Sequence, residues 1–173
     1  MATCTALQSI SKSCDNNIGG VTQVWIYDSE DISALADSSG NVSTLTLASG
    51  GVGQTYTIKR NTSNFTEEAA IDLVNGSSFI TQTINLMFHR REASKSNAIQ
   101  ILGEGQRDLF VVLKDANGLY WCGENFQLSA VSEGSGTAKA DASKYSVTLV
   151  AENVEYLYEA SLATLQTFDS TLF

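Results

Sequence analysis

The stretch FITQTINLMFH at 79–89 constrains this chain more than any other, because two sets of side chains alternate through it without a break. Phe79, Thr81, Thr83, Asn85, Met87 and His89 fall on one side, and Ile80, Gln82, Ile84, Leu86 and Phe88 on the other. A period of two belongs to an extended strand, whereas a helix would mix the two sets. Asn75-Gly76, just upstream, is a strong two-residue turn signal. Other extended segments follow the same logic. VTQVWIYD (21–28) separates Val21, Gln23, Trp25 and Tyr27 from Thr22, Val24 and Ile26, a strand with both faces partly covered. NVSTLTLA (41–48) and TYTIKR (55–60) flank SGGVG and read as a hairpin with a glycine-rich loop.

RDLFVVLKDANGLYWCGE (107–124) reads as another hairpin. Asp115-Ala116-Asn117-Gly118 is its tight connection, and Val111, Leu113, Tyr120 and Trp121 supply core or interface packing. With Trp121 in the core, Trp121→Ala is expected to cost about 3–5 kcal/mol. FQLSAV (126–131) and YSVTLVAE (145–152) are further strands, separated by the flexible SEGSGTAKADAS, and VEYLYEASLATLQTF reads as a strand followed by an arm. Only EASKSNAIQIL (92–102) changes period: Ala98, Ile99 and Leu102 share a helical stripe, and Gly103 stands where a left-handed helix terminus is expected. Short strands, one helix and no proline give the expected fold class: mainly β, an antiparallel β-sandwich or barrel with one short flanking α-helix. With 173 residues the chain can bury one core, so residues 1–173 form one domain, with 1–20 and 157–173 as possible extended arms.

Ten basic residues against nineteen acidic ones leave a net charge of −9. That balance opposes capture of nucleic acid through its phosphates, yet suits a wall past which DNA slides without sticking. No apolar run approaches the roughly 18 residues of a membrane span, and the N-terminus lacks a secretory pattern, so the chain is expected to remain in the cytoplasm in which it is made. Cys4, Cys14 and Cys122 have neither CxxC nor paired zinc-ligand spacing. They are read as mainly reduced, with a Cys4–Cys14 bridge as the alternative.

Residues for catalysis are hard to find. His89 is the only histidine, so a nucleophile has few possible bases. SGGVG at 49–53 has the glycines of a phosphate loop without the lysine, and is read as a mobile hairpin loop. Asp28, Glu30, Asp31, Glu67 and Glu68 cluster along the chain, but neither with EF-hand spacing nor in a way that sets two acids across a sugar. No catalytic, cofactor-binding or metal-binding residue is assigned, and no enzyme activity is expected.

Three stretches carry a family likeness. CTALQSISKSCDNNIGGVTQVWIYDSEDI (4–32), FHRREASKSNAIQILGEGQRDLFVVLKDANGLYWCGE (88–124) and GTAKADASKYSVTLVAENVEYLYEA (136–160) resemble the tail tube proteins of tailed bacteriophages, especially phages of Bacteroidetes-type hosts. The resemblance implies a structural virion protein: a β-sandwich or barrel subunit with one helix, in hexameric rings that stack into a hollow tube. In that family the inner strands of six subunits close a β-barrel around the channel, and a long loop and terminal arms grip the next ring. DNA passes through the lumen during ejection. Partners would be further copies and other tail proteins, and the location the virion tail after assembly in the host cytoplasm. Carried onto this chain, the resemblance puts strand 78–90 and a neighbour on an acidic lumen. It also puts a loop at 49–54 or 60–70 between rings, and makes arms of 1–20 and 157–173. Alternatives are a tail terminator, baseplate or capsid decoration protein, an injection-system tube protein, or a monomeric carbohydrate-binding β-sandwich using Trp25, Tyr27 and Trp121.

Overall fold

The computed structural model of the protein describes residues 7–59 and 61–173. Cys4, one end of the candidate bridge, and the first six residues of the expected arm lie outside the described residues, as does residue 60. The chain is mainly β, with 50% of its residues in strands and 14% in helices. Among the described residues, ten strands and two short α-helices follow one another as β1 (Val21–Asp28), β2 (Ile32–Ser38), β3 (Asn41–Leu47), β4 (Gln54–Thr57), β5 (Asn64–Asp72), β6 (Ser77–His89), α1 (Ala93–Leu102), β7 (Leu109–Asp115), β8 (Tyr120–Gly134), β9 (Lys144–Asn153), β10 (Tyr158–Ala160) and α2 (Leu162–Phe168).

The long alternating segment becomes β6, and its two sets of side chains part as the period requires. Ile80, Gln82, Ile84, Leu86 and Phe88 are buried. Opposite them in antiparallel register stand the equally regular Leu149, Val147 and Tyr145 of β9, paired with Ile84, Leu86 and Phe88. These faces share one apolar cluster with Val24 and Ile26 of β1 and Val111 and Leu113 of β7. The opposite faces of β1 and β7 are buried too: Trp25, Tyr27, Phe110 and Val112 form a second cluster, closed by Leu165 and Phe168 of α2. Each fully buried side chain of this size stabilises the fold by about 1.5–3 kcal/mol.

β8 joins the two groups of strands. Its first part pairs with β7 and its second with β9. Between them the register slips and Asn125 takes a φ of 62°, the geometry of a bulge that bends a strand. One path runs β2-β3-β10-β8-β7-β1-β4 and the other β5-β6-β9-β8. Pairing is antiparallel except at Glu159–Asn41, where β10 lies parallel to β3, so the sheet is mixed.

Four expectations are corrected. Segment 41–48 does not pair with 55–60: β3 pairs with β2 across a turn in which Ser39 and Gly40 have φ of 56° and 79°, and β4 pairs with β1. The described residues hold two α-helices, and the second occupies the C-terminal segment expected to be an arm. Leu165 and Phe168 are 0% and 5% exposed, and the Phe173 ring lies 4.5 Å from that of Trp25. Residues 64–70 of the loop expected at 60–70 belong to a strand, β5, which runs on to Asp72. Gly103 is right-handed (φ −92°), so the helix end does not require the left-handed glycine expected there.

Trp121 is half-buried. Its ring centroid lies 6.3 Å from that of Phe65 and its Nε1 donates to Asp115 Oδ2 at 3.2 Å. Trp121→Ala is therefore expected to cost about 2 kcal/mol, less than a fully buried ring. Denaturant titration measures this; an unchanged midpoint would mean that the ring contributes nothing to the fold.

Candidate functional site

The side of β5-β6-β9-β8 that faces away from the core is built from the polar halves of the alternating strands. Register places its residues in rows across the sheet. Asn64 lies beside Asn85, Thr148 and Ala130, and Thr66 lies beside Thr83, Val150 and Gln127. A row of Glu68, Thr81 and Glu152 lies toward one end, and a row of His89, Lys144 and Gly134 closes the other. Hydroxyls and amides dominate the middle. Such a surface holds water while offering few cations to a phosphate backbone. The charge is thus segregated by end, and the face is not uniformly acidic.

This four-stranded group has two open edges among the described residues. β5 pairs only with β6, and the Gln127–Gly134 part of β8 pairs only with β9. Unpaired edges leave backbone N–H and C=O groups free to take another strand. Because the group contains four antiparallel strands, its two edge strands run in opposite directions. An edge β5 set against the β8 edge of another copy would therefore continue the antiparallel pairing.

A buried polar network lies beneath this face. Gln82, 2% exposed, donates from Nε2 to Glu67 Oε1 at 3.2 Å and to the Glu155 carbonyl at 3.0 Å. Its Oε1 accepts from Asn153 Nδ2 at 2.9 Å, and Asn153 Oδ1 accepts from Asn125 Nδ2 at 3.2 Å. The Leu157 N–H donates to Glu67 Oε1 at 2.7 Å. These bonds connect β5, β6, β9, the β8 bend and the chain entering β10. Glu67 is a structural acceptor here, while its neighbour Glu68 is exposed on the outward face.

The other candidate residues are scattered. Asp28 Oδ1 accepts from the Glu30 N–H at 3.2 Å and its Oδ2 lies 3.3 Å from Arg107 Nη1; Asp31 Oδ2 accepts from the Val52 N–H at 3.3 Å. These carboxylates cap a turn and hold the 48–52 segment. No group of three His, Cys, Asp or Glu placed to hold a metal occurs among the described residues. A Cβ at Gly53 would meet the Tyr27 ring at 2.1 Å, so the glycine-rich segment packs tightly against that ring. His89 sits at the end of β6, half-buried, its Nε2 buried without a hydrogen-bond partner.

Cys122 is 0% exposed and burial pushes its thiol up to about 12, whereas Cys14 is exposed. Trp25 and Tyr27 are 3% and 1% exposed, so they present no surface on which a sugar could stack. Tyr27 donates to Asp169 Oδ2 at 3.2 Å, and burial, reinforced by that carboxylate, raises its hydroxyl pKa well above the usual tyrosine range. The chain matches no family model, no curated protein and no solved structure.

Proposed function

We propose that this chain is a structural subunit of a phage tail tube. In this reading its strands form a sandwich, and copies close into rings whose polar β5-β6-β9-β8 faces line a channel for DNA. The observation that carries this reading is the pair of open edges on an even-stranded antiparallel group: a head-to-tail contact of β5 with β8 repeats around a ring without reversing strand direction. The uncharged middle rows support it, since a wall of hydroxyls and amides neither captures the phosphate backbone nor excludes water. Six copies per ring, stacking into a tube, association with other tail proteins and the tail location follow from the family likeness. A tail terminator would use the same edges but form isolated rings.

Proline in the β8 edge tests this. Of neighbours Val131 and Ser132, one directs its N–H toward β9 and the other away from it. The proline that removes only the outward N–H is expected to leave a folded monomer that no longer forms rings in sedimentation velocity. A folded variant with proline at the position whose N–H points away from β9 that still sediments as a ring would overturn the edge-pairing mechanism.

A further inference from the structure

The chain contains two Asn-Gly pairs, Asn75-Gly76 and Asn117-Gly118, each in an exposed turn whose glycine has a positive φ, 68° and 90°. An asparagine ahead of glycine can close on itself as a cyclic imide, because no Cβ hinders the glycine nitrogen as it swings onto the side-chain carbonyl. The two turns hold the reacting groups differently. In the β5–β6 turn the Gly76 N–H donates to the Asp72 carbonyl at 2.8 Å, and Asn75 Nδ2 donates to Asp72 Oδ2 at 2.5 Å. The nucleophile and the leaving amide are both engaged there, and nothing donates to Asn75 Oδ1 among the described residues. In the β7–β8 turn the Gly118 N–H meets the Asp115 carbonyl only at 3.2 Å, and Asn117 Nδ2 meets Asn17 Oδ1 only at 3.4 Å. Asn117 Oδ1 accepts the Ile18 N–H at 2.8 Å. A donor at that oxygen stabilises the negative charge that gathers on it when the carbonyl is attacked.

We propose that Asn117 is a self-modifying latch on the N-terminal segment. The Gly118 nitrogen, losing its proton to solvent, bonds to Asn117 Cγ; the Cγ–Nδ2 bond breaks, and the amide nitrogen takes a proton from solvent and leaves as ammonia. Water then opens the imide. Cleavage at the Asn117 main-chain carbonyl gives isoaspartate, in which the chain runs through Cγ, and cleavage at Cγ gives aspartate. Isoaspartate lengthens the backbone by one carbon and shortens the side chain by one, which draws the acceptor back from Ile18. Of the described residues before Ile18, only Asn17 hydrogen-bonds outside its own segment, and its partner is again Asn117. The bond that promotes the reaction is thus one that its main-chain product loses, and the segment is then held at the Gly20 carbonyl, which accepts from the Ala116 N–H at 3.0 Å. The latch belongs to the single chain and operates with or without ring formation.

Peptide mapping of the full chain, incubated at mildly alkaline pH so that the glycine nitrogen loses its proton more readily, reads both sites in one sample. Isoaspartate is expected to accumulate several-fold faster at 117 than at 75. Ile18→Pro removes the donor to Oδ1 and is expected to slow position 117 several-fold while leaving position 75 unchanged. Amide hydrogen exchange reads the latch: Ile18 is expected to lose its protection once residue 117 is isoaspartate, whereas Asn117→Asp, which keeps an acceptor in place, retains it. A rate at 75 that equals or exceeds the rate at 117, or a rate at 117 indifferent to Ile18→Pro, would overturn the assisted reaction. Equal exchange at Ile18 before and after modification would overturn the latch.

Discussion

Removing residues 162–173 is expected to unfold the chain instead of detaching an arm. α2 and the residues after it cover one face of β1 and β7. Leu165 is completely buried and Phe168 nearly so, the Phe168 ring packs edge-on against Tyr27 with centroids 4.9 Å apart, and Phe173 covers Trp25. Truncation would bare Trp25, Tyr27, Phe110 and Val112 together. At about 1.5–3 kcal/mol for each large side chain taken out of water, losing Leu165, Phe168 and Phe173 alone would remove on the order of 5 kcal/mol. That is comparable with the whole stability of many domains. Circular dichroism melting of the truncated chain checks this, and the point variant Leu165→Ala is expected to lose about 2–5 kcal/mol while still folding. A truncated chain that melts like the parent would restore the arm reading.

Gln82→Leu should lose about 3 kcal/mol despite keeping nearly the same volume. Leucine cannot donate to Glu67 or to the Glu155 carbonyl, nor accept from Asn153, and each buried group left short of a partner costs about 1–3 kcal/mol. Glu67 retains the bond from the Leu157 N–H, and Asn153 retains those to the Glu124 carbonyl and from Asn125 Nδ2, which keeps the sum from being larger. Gln82→Glu sharpens the test, because it sets a second carboxylate against Glu67. Repulsion from the half-buried Glu67, together with burial, raises the pKa of the carboxyl introduced at position 82, so this variant is expected to regain stability as pH falls into the carboxylate range. Urea titrations at neutral and mildly acidic pH measure both effects. Parent-like midpoints for the two variants would mean that the network is ornamental.

Parts of the architecture were legible in the chain and parts were not, for physical reasons. β6 and β9 could be read directly because one face meets a core and the other water along nearly their whole length. β2 escaped notice because bulges between Ile32 and Ala34 and between Ala36 and Asp37 break its period, and only Ile32 and Leu35 pack toward a core cluster. β8 looked like a strand end and a separate strand, since Gly123-Glu124-Asn125 resembles a loop; the Asn125 bend lets one strand serve two neighbours. α2 spans only seven residues, yet its start carried a signal: Ser161 Oγ accepts from the Thr164 N–H at 3.1 Å as a side-chain cap. The polar face could be assembled from alternation alone. Its two open edges could not, because alternation gives the face of a residue and says nothing of which strand lies beside it.

Negative-stain electron microscopy of the purified full-length chain, over a concentration series, tests the central claim most directly. The account predicts hollow rings that stack into tubes, with an axial repeat of about 40 Å or less, because the strands that set it tilt from the axis. A monodisperse monomer at every concentration would contradict it.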